Sequence, residues 1–397
     1  MAKAFSTVRI LDFSRVIAGP YAVQMFNMLG AEVIKVEEPG KGDQMRHLMP
    51  ASTSPENASP GFMAYNSGKK SIAIDLKAPD AREVITKLVE TSDIMIESFK
   101  AGTIKKLGYG YEEIKKIKPD IIYCSISGFG QSGPNAGKPA YDGAVQAAAG
   151  MMASTGHPET GPTRAQYLPV DTTTGYNAAF AMAAALYRRQ LTGEGQYIDV
   201  AMLDSAITVQ AVDFSCHLMG DPEPPLIGNK SPSRLPTADC FETQEGYLLI
   251  TALSDAQVGG FMEMLGLSAL LDDPRFADNE ARTANAAAIQ EHIIPALMTD
   301  TADNWAEKLE AARVPFSKVR SMAEVAADPQ LKERKILAEV PLGALGDGTA
   351  TIVGPGYLTN VDGPEIPGPP PAIGEHSEKI LRSIGYTDDQ IGALQLT

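Results

Sequence analysis

Short apolar runs alternate with amphipathic stretches through the first 130 residues of the chain. Residues 8–13 and 31–37 are apolar runs that predict buried strands, and the stretch between them predicts a helix that ends at Gly30. The alternation continues with predicted strands at 71–76, 93–99 and 121–130 and a predicted helix at 80–91. Strands that alternate with helices form a parallel sheet with helices on both faces, so the pattern predicts an α/β fold.

The hydrophobic pattern changes in the second half of the chain. Residues 176–191 are alanine-rich and apolar on nearly every side, which predicts a buried helix. A stretch rich in proline and glycine follows at 221–236, and residues 241–251 predict a hairpin that turns at 244–246. Further helices are predicted at 255–266, 278–298 and 302–313. This order predicts a second, smaller α+β domain.

The two patterns divide the chain into two domains. We expect a large Rossmann-type domain with a parallel sheet over residues 1–200, a linker at 201–225 and the smaller α+β domain over 226–325. The remaining residues, 326–397, are rich in proline and glycine between 345 and 372 and end in a predicted helix. We expect this extended segment to return to the large domain.

The charge of the chain limits the partners that it can bind. Acidic residues outnumber basic ones by 49 to 34, and the net charge of −15 gives a surface that repels nucleic acid and anionic membranes. An anionic cofactor is repelled as well, so a phosphate site requires basic residues placed locally. No apolar run reaches the roughly 18 residues of a membrane helix, and no secretion signal is expected. With three widely spaced cysteines, the protein is expected to be cytoplasmic.

The motifs argue against several common chemistries. The first strand–helix–strand unit lacks the G-x-G-x-x-G of dinucleotide binding, which argues against a nicotinamide-dependent oxidoreductase. The five histidines show no metal-binding spacing, and no G-x-S-x-G nucleophile elbow is present. The remaining candidates are Asp171, before the alanine-rich helix, and glycine-rich turns at 127–134 and 226–233 that suit phosphate or oxyanion contacts.

Asp171 has two interpretations in its local sequence. It ends a short apolar stretch that predicts a strand, and the alanine-rich helix follows at once. An aspartate in this position commonly caps a helix by accepting hydrogen bonds from its first free N–H groups. The alternative is a nucleophile, because a helix N-terminus favours the ionised carboxylate, which is the form that attacks a thioester. The local motif is compatible with both interpretations.

Longer blocks of the sequence together resemble the class III CoA-transferases, the family of formyl-CoA transferase and carnitine CoA-transferase. The resemblance covers nearly the whole chain and depends on the order and spacing of VRILDFSRVIAGPYAVQMF (8–26), NSGKKSIAIDLK (66–77), SGFGQSGP (127–134), LPVDTTTG (168–175), LTGEGQYIDVAMLDSA (191–206) and GEHS (374–377). The fold that this resemblance implies is an interlocked, ring-like homodimer, in which each chain has a Rossmann-type domain and a smaller domain.

The resemblance also implies a CoA-transferase with Asp171 as its catalytic residue. Asp171 is implied to attack an acyl-CoA, to pass through a mixed anhydride and an aspartyl-CoA thioester, and to transfer CoA to a second carboxylic acid. Family habit suggests succinyl-CoA as the donor, whereas no residue indicates the acceptor acid. CoA thioesters are then substrates, and no permanently bound cofactor, metal or ATP is expected.

Positions that match the family imply the residues that bind these substrates. Tyr141 and Ile17 are implied to contact the acyl group, together with Gly228 and Asn229 in the loop before the small-domain strand. The residues implied to contact CoA are Arg15, Val16, Ala18, Lys69, Lys70, Phe99, Ala101 and Lys105. The partners expected from this set are small molecules and a second copy of the chain.

The sequence departs from the family at positions that affect the choice of substrate. Ile17 stands where formyl-CoA transferase has a glutamine, Glu38 stands where it has an arginine, and its run of glycines is absent, which argues against formyl-CoA and oxalate. An α-methylacyl-CoA racemase is the nearest alternative, but Tyr141 replaces its histidine and Ser254 lies nearest to its acidic residue. A non-catalytic CoA-binding subunit is a further alternative, against which the presence of Asp171 argues.

Overall fold

The computed structural model describes residues 2–396, which form two units. The first unit contains residues 2–151, 165–221 and 329–396, and the second contains residues 152–164 and 222–328. The strands are β1 (Arg9–Phe13), β2 (Glu32–Glu37), β3 (Lys70–Ala73), β4 (Ile94–Glu97), β5 (Ile122–Ser127), β6 (Gly156–His157), β7 (Gly161–Pro162), β8 (Gln196–Ala201), β9 (Ala238–Glu242), β10 (Tyr247–Thr251), β11 (Phe316–Lys318), β12 (Leu337–Pro341) and β13 (Thr349–Val353).

Helices connect and cover these strands. They are α1 (Ala18–Met28), α2 (Pro60–Asn66), α3 (Ala81–Glu90), α4 (Thr103–Lys106), α5 (Tyr111–Ile117), α6 (Asp142–Ala148), α7 (Met151–Ser154), α8 (Pro169–Thr192), α9 (Met202–Val209), α10 (Ala211–Leu218), α11 (Asp255–Met264), α12 (Asn279–Ala284), α13 (Ala286–Leu297), α14 (Ala302–Ala311), α15 (Met322–Ala326), α16 (Pro329–Glu333), α17 (Ser377–Ser383) and α18 (Asp388–Ala393). Within residues 2–396, none of them has the length and hydrophobicity required to cross a bilayer.

Six strands of the first unit form one parallel sheet. Their order is β3-β2-β1-β4-β5-β8, and every neighbouring pair runs parallel. This arrangement confirms the α/β fold with a central parallel sheet that the alternating pattern predicts. The chain order reverses between β1 and β4, so the connections after these two strands leave the sheet in opposite directions. Doubly wound sheets bind ligands at such a reversal, outside the carboxyl ends of the strands.

Successive residues of the strands point to opposite faces of this sheet, and helices cover each face. Leu11 of β1 packs in the cluster that includes α3 and α5, whereas Ile10 packs in the cluster that includes α1 and α8. Because both faces are buried, the strands are apolar at consecutive positions rather than at alternate ones. The closing segment joins the first of these clusters through Ile380 and Leu381 of α17.

The second unit has a separate core around an antiparallel sheet. Strands β9, β10 and β11 form this sheet in the order β11-β10-β9. Helices α11, α13 and α14 contribute Phe261, Ile293 and Trp305 to the core. The indole N–H of Trp305 donates to the carbonyl of Leu297 at 2.8 Å, which satisfies its one polar atom. The unit therefore combines a small antiparallel sheet with helices.

Several local features differ from the sequence-based expectations. Residues 201–225, expected as a linker, begin with helices α9 and α10, and residues 152–164 belong to the second unit. The helix expected at 278–298 is two helices, because Asn285 takes a non-helical conformation between them. The extended segment at 345–372 begins with β13, which pairs with β12 as a hairpin.

The start of α8 also differs and changes the setting of Asp171. The helix begins at Pro169, so Asp171 lies in its first turn and not at the end of a strand. Pro169 occupies the first helical position, where the missing N–H costs nothing and the fixed φ favours the helix. The apolar side chains of Leu168 and Val170 on either side of the proline explain the strand-like pattern.

Candidate active site

A cavity of about 320 Å³ opens at the carboxyl end of the parallel sheet in the first unit. Most of its lining comes from four segments, which are residues 15–18 after β1, 98–101 after β4, 126–129 at the end of β5 and 137–141 before α6. Gln44, Asp171 and Met202 complete it. Because β1 and β4 are the strands at which the chain order reverses, the cavity lies where the topology predicts a ligand site.

Asp171 reaches this cavity from the first turn of α8. Leu168 occupies the N-cap position of α8, and its side chain makes no capping hydrogen bond. The cap comes from Asp142 of α6, whose Oδ2 accepts hydrogen bonds from the backbone N–H of Val170 at 2.9 Å and of Asp171 at 3.0 Å. The helix-cap interpretation therefore applies to Asp142, and the carboxyl group of Asp171 lines the cavity.

Asp142 is itself held in a hydrogen-bonded corner. Gln146 donates from Nε2 to Asp142 Oδ1 at 2.6 Å and to the carbonyl of Ala165 at 3.2 Å, and its Oε1 accepts from the N–H of Ala165 at 2.9 Å. The sequence offers little warning of this role, because Asp142 contacts the start of α8 only after folding. The one local signal is the spacing of Asp142 and Gln146, which places them one helical turn apart.

Burial and a neighbouring charge set the protonation of Asp171. Burial raises the pKa of Asp171, and the negative charge of Asp142 raises it further, to about 7. The helix N-terminus was expected to favour the ionised form, but these two effects outweigh it. Near neutral pH, the ionised and protonated forms of Asp171 are therefore present in comparable amounts. A strongly perturbed carboxyl group in a cavity is typical of a functional site.

Arg15 and Ser98 join two walls of the cavity. The N–H of Arg15 donates to Ser98 Oγ at 2.9 Å, which links the loop after β1 to the loop after β4. The Arg15 guanidinium lies over the ring of Phe99, 5.0 Å from its centroid. With Lys100 and Lys138, Arg15 brings basic side chains into the cavity of a chain whose net charge is −15. The positive charge that phosphate groups require is thus available locally.

Most of the sequence-predicted site residues meet in this one cavity. Those that line it are Arg15, Val16, Ile17, Ala18, Phe99, Ala101, Tyr141 and Asp171. Tyr141 is 64% exposed, and its hydroxyl accepts a hydrogen bond from Gln44 Nε2 at 3.3 Å. A smaller cavity of about 200 Å³ is also lined by Arg15 and Phe99 and extends past Glu38. Arg15 and Phe99 therefore stand between two recesses of the first unit.

Three predicted CoA-binding lysines do not line either recess. Lys69 is fully buried and pairs with Asp12 at 3.2 Å. Burial lowers the pKa of Lys69 to about 8, and the charge of Asp12 offsets this effect only in part. Lys70 pairs with Glu32, and Lys105 is an exposed residue of α4. The ammonium group of Lys69 is thus enclosed by the protein, and its expected phosphate contact stays a prediction.

Gly228 and Asn229 belong to the second unit. Gly228 has a φ of 64°, and a Cβ there would lie 2.5 Å from Nδ1 of His157, so this position requires glycine. Asn229 lines a cavity of about 600 Å³ within the second unit, together with Lys230 and Arg234. The expected contact of Gly228 and Asn229 with an acyl group stays a prediction.

Gln44, Lys100, Lys138 and Met202 also line the cavity, although none of them was a predicted site residue. Lys100 follows Phe99 directly, and Lys138 closely follows the glycine-rich turn at 127–134. A basic residue beside a predicted ligand loop is therefore a signal that identifies both lysines. Gln44 and Met202 give no such signal, since they enter the cavity through segments that are distant in sequence.

The cavity combines a carboxyl group with basic side chains and an apolar wall. Within the described part of the chain, Asp171 is the single acidic residue of its lining, and Ile17, Ile126 and Phe129 add apolar surface. Among residues 2–396, histidine, cysteine, aspartate and glutamate side chains form no group of three or more that suits a metal ion. The arrangement suits nucleophilic acyl chemistry by a carboxylate, with an apolar wall that limits water.

Comparisons with known proteins give matches over nearly the whole chain. A family model described as CoA-transferase family III matches residues 5–377. A succinate–glutarate CoA-transferase of Agrobacterium fabrum is 35% identical over 387 residues, which cover 96% of this chain and 95% of that protein. A succinyl-CoA:mesaconate CoA-transferase of Haloarcula hispanica is 34% identical over 392 residues, which cover 96% of each chain.

A solved structure gives a match of the same extent. The crystal structure of a CAIB/BAIF family protein from Brucella suis is similar with a TM-score of 0.87 and 31% sequence identity. The match covers 97% of this chain and 100% of the Brucella chain. The sequence comparisons and the structural comparison thus both match nearly the whole of this chain.

Proposed function

Because the chain belongs to CoA-transferase family III, we propose that it transfers CoA from an acyl-CoA to a carboxylic acid through covalent intermediates on Asp171. Membership of the family makes the protein a CoA-transferase, and the covalent route and the substrates are what we add. The observation that carries the proposal is the position of Asp171, whose carboxyl group lines the cavity at the reversal of the sheet and has a pKa raised to about 7.

The first half-reaction begins with ionised Asp171. A carboxylate oxygen of Asp171 attacks the carbonyl carbon of the thioester, the C–S bond breaks, and CoA leaves as a thiolate. The product is a mixed anhydride between the acyl group and Asp171. The thiolate then attacks the aspartyl carbonyl, the donor acid leaves as a carboxylate, and an aspartyl-CoA thioester remains.

The second half-reaction repeats these steps in reverse with a different acid. The acceptor carboxylate attacks the aspartyl thioester, CoA leaves as a thiolate, and a second mixed anhydride forms. Attack of the thiolate on the acceptor carbonyl gives the new acyl-CoA and restores the Asp171 carboxylate. Each step exchanges a thiolate for a carboxylate or the reverse, so the reaction needs neither ATP nor a net proton transfer.

The cavity lining supports these steps by polar and apolar contacts. No side chain caps the start of α1 at Ile17 and Ala18, so its first N–H groups are available to a developing oxyanion. Ile126 and Phe129 limit the access of water to the anhydride and the thioester, which hydrolyse readily. We expect the hydroxyl of Tyr141, a residue that lines the cavity, to orient the acid that enters or leaves.

We expect CoA to lie along the loops after β1 and β4. Arg15, Lys100 and Lys138 supply positive charge for its phosphate groups, and Val16 and Ala101 border the same space. The smaller cavity beyond Arg15 offers room for a further part of the CoA molecule. Replacing Lys138 by alanine is expected to raise KM for the acyl-CoA more than it lowers kcat.

For the substrates, we propose succinyl-CoA as the donor and a dicarboxylic acid as the acceptor. Two relatives are named for succinate or succinyl-CoA, whereas their second acids, glutarate and mesaconate, differ. The identity of the acceptor acid therefore has to be determined by experiment. A panel of dicarboxylic and monocarboxylic acids, incubated with succinyl-CoA and read by mass spectrometry, identifies it, and a preference for monocarboxylic acids would contradict this choice.

We further propose a homodimer of interlocked chains. One side of α8 presents Tyr176, Phe180, Tyr187 and Leu191, which are between 49% and 78% exposed in the single chain. Val212 of α10 adds apolar surface with 75% exposure. Large exposed apolar residues in such number favour burial against another chain. Light scattering of the purified protein is expected to give the mass of two chains, and the mass of one chain would contradict the proposal.

Trapping the intermediate tests the covalent route. Protein incubated with succinyl-CoA and no acceptor is expected to carry CoA on the peptide that contains Asp171, and hydroxylamine is expected to convert this adduct to a hydroxamate. The Asp171→Ala variant is expected to give neither product. Asp347→Asn, which alters an exposed carboxyl group outside the cavity, serves as the control and is expected to match the wild type. A wild-type enzyme that turns over without an adduct would contradict the route.

A further inference from the structure

Val16 has a backbone conformation that is unusual for its residue type. Its φ is 68°, in the left-handed region that favours glycine and that a β-branched side chain disfavours. Val16 lines the cavity, between the end of β1 and the start of α1. The left-handed turn thus redirects the chain from the sheet into the helix at the wall of the cavity. Strain of this kind persists only where the surrounding structure enforces it.

A buried carboxylate holds Val16 in this conformation. The N–H of Val16 donates to the two carboxylate oxygens of Asp43, at 3.0 and 3.3 Å. Asp43 is 2% exposed, and its carboxylate pairs with the ammonium group of Lys35 at 2.8 Å. Burial acts to raise the pKa of Asp43, but the charge of Lys35 and the backbone donors outweigh it, so the pKa is lowered. Asp43 is therefore an ionised acceptor inside the protein.

The residues around Val16 are fixed by the same buried groups. Lys35 also donates to the carbonyl of Ser14 at 2.8 Å, and the N–H of Ser14 donates to Asp12 at 2.9 Å. The side chain of Ser14 packs on Gly19, where a Cβ would lie 2.2 Å from Ser14 Cβ. The chain is therefore anchored on both sides of Val16, and Val16 is the residue at which it turns.

We propose that Asp43 is a positioning residue for the CoA-transferase reaction, acting through the left-handed turn at Val16. By holding that turn, Asp43 sets Arg15 over Phe99 and keeps the uncapped start of α1 in the cavity lining. Asp43 does not line the cavity itself, so its influence on a substrate passes through the backbone of Val16. The inference rests on the proposed function, because it concerns the same cavity.

A rescue experiment tests the role of Asp43. Asp43→Ala removes both acceptors for the Val16 N–H, so Val16 is expected to leave the left-handed region and kcat/KM for the acyl-CoA to fall at least about 20-fold. Glycine adopts the left-handed conformation without a steric cost, so Val16→Gly added to Asp43→Ala is expected to recover at least about fivefold. Because Val16 lines the cavity, Val16→Gly is also measured alone to give its own effect, and Asp43→Ala is expected to cost at least about fivefold less in the Val16→Gly background than in the wild type.

Lys335→Gly is the matched control, since Lys335 is an exposed residue with a left-handed φ of 52°. Added to Asp43→Ala, Lys335→Gly relieves the same kind of strain elsewhere and is expected to recover no activity. A general gain in stability therefore cannot imitate the rescue at Val16. Two results would overturn the inference: a double variant no more active than Asp43→Ala, or an equal recovery with Lys335→Gly.

Asp43→Asn is the second variant, for use in the same pairings if Asp43→Ala does not fold. It keeps the shape of the side chain and one acceptor oxygen but loses the charge that pairs with Lys35, so a smaller loss is expected, again reduced by Val16→Gly. Activity is expressed per folded protein, measured by circular dichroism. The adduct on wild-type Asp171 tests the proposed function separately, so an adduct without rescue refutes the role of Asp43 alone.

Discussion

Two aspartates of the first unit, the buried Asp43 and the half-buried Asp171, have pKa values shifted in opposite directions. For both, burial is the largest influence and acts to raise the pKa. Lys35 contacts Asp43 at 2.8 Å and reverses this influence, whereas the charge that acts on Asp171 belongs to another carboxylate, Asp142. The sign of the neighbouring charge, more than burial, thus separates a structural carboxylate from a reactive one.

The two carboxyl groups also affect stability with opposite pH dependence. Asp43 has a lowered pKa, so it stabilises the folded state above its unfolded pKa, and this stabilisation is lost as the pH falls through its folded pKa. Asp171 has a pKa raised to about 7, so it destabilises the folded state increasingly as the pH rises from about 3.9 towards 7. Proteins retain such a loss of stability where their activity depends on the ionisable group that causes it.

The largest expected effect is the loss of transfer in Asp171→Ala. The variant lacks the nucleophile while Asp142 still caps α8, so the fold is expected to persist and transfer to fall at least about 1,000-fold. Formation of the new acyl-CoA, followed by mass spectrometry, measures the loss, with circular dichroism to confirm folding. Transfer within tenfold of the wild type would show that Asp171 is not the nucleophile.

Lys35→Met is expected to give the largest loss of stability. It leaves Asp43 as an uncompensated buried charge, which is expected to lower the free energy of unfolding by about 3–5 kcal/mol. Urea unfolding at pH 7 measures the change. The control is Arg275→Met, which breaks an exposed ion pair with Asp273 and is expected to change stability little. Equal losses in the two variants would show that the buried ion pair stabilises the folded state no more than the exposed pair does.

Asp142→Asn removes the charge beside Asp171. Asparagine keeps an oxygen that accepts from Val170 and Asp171, so the cap of α8 is retained while the pKa of Asp171 is expected to fall. Wild-type kcat/KM is expected to rise about tenfold per pH unit below about 7 and to level off above it, since the ionised form attacks. In Asp142→Asn this rise is expected at lower pH, and an unshifted profile would leave burial as the sole cause.

The smallest expected effect is a gain of stability in Asp171→Asn. Removing a half-buried carboxyl group that must ionise is expected to raise the free energy of unfolding by about 1–2 kcal/mol at pH 8 and by less at pH 5. Urea unfolding of the variant and the wild type at both pH values measures the difference. A gain of the same size at both pH values would contradict a raised pKa for Asp171.

The sheet and much of the cavity were predictable from local sequence. The alternation of strands and helices indicates a parallel sheet, and the loop at 15–18 follows the first strand, where ligand contacts are expected. The resemblance to the class III CoA-transferases selected Asp171, which the local motif alone left undecided between a cap and a nucleophile. The sheet was predicted correctly because its pattern depends on neighbouring residues, whereas the catalytic role of Asp171 stays a prediction.

The remaining features depend on contacts between distant segments. The burial of Lys69 depends on its pairing with Asp12, 57 residues earlier, and no local pattern distinguishes it from an exposed lysine before a strand. In the same way, the cap of α8 by Asp142 and the hold of Asp43 on Val16 each join separate elements. The raised pKa of Asp171 follows from such a contact and from burial, so it was not visible in the sequence.

The reversal of strand order between β1 and β4 gives this scaffold a practical modularity. The cavity draws on segments 98–101 and 137–141, which lie between the strands and helices, and in which Phe99 and Ala140 pack against apolar clusters while the other residues can be exchanged. Residues 12–18 offer no such freedom, since Asp12, Ser14 and Val16 take part in or contact the buried ion pairs Asp12–Lys69 and Asp43–Lys35. An engineer seeking a new acid specificity would change the residues around Tyr141 in segment 137–141 and leave residues 12–18 untouched.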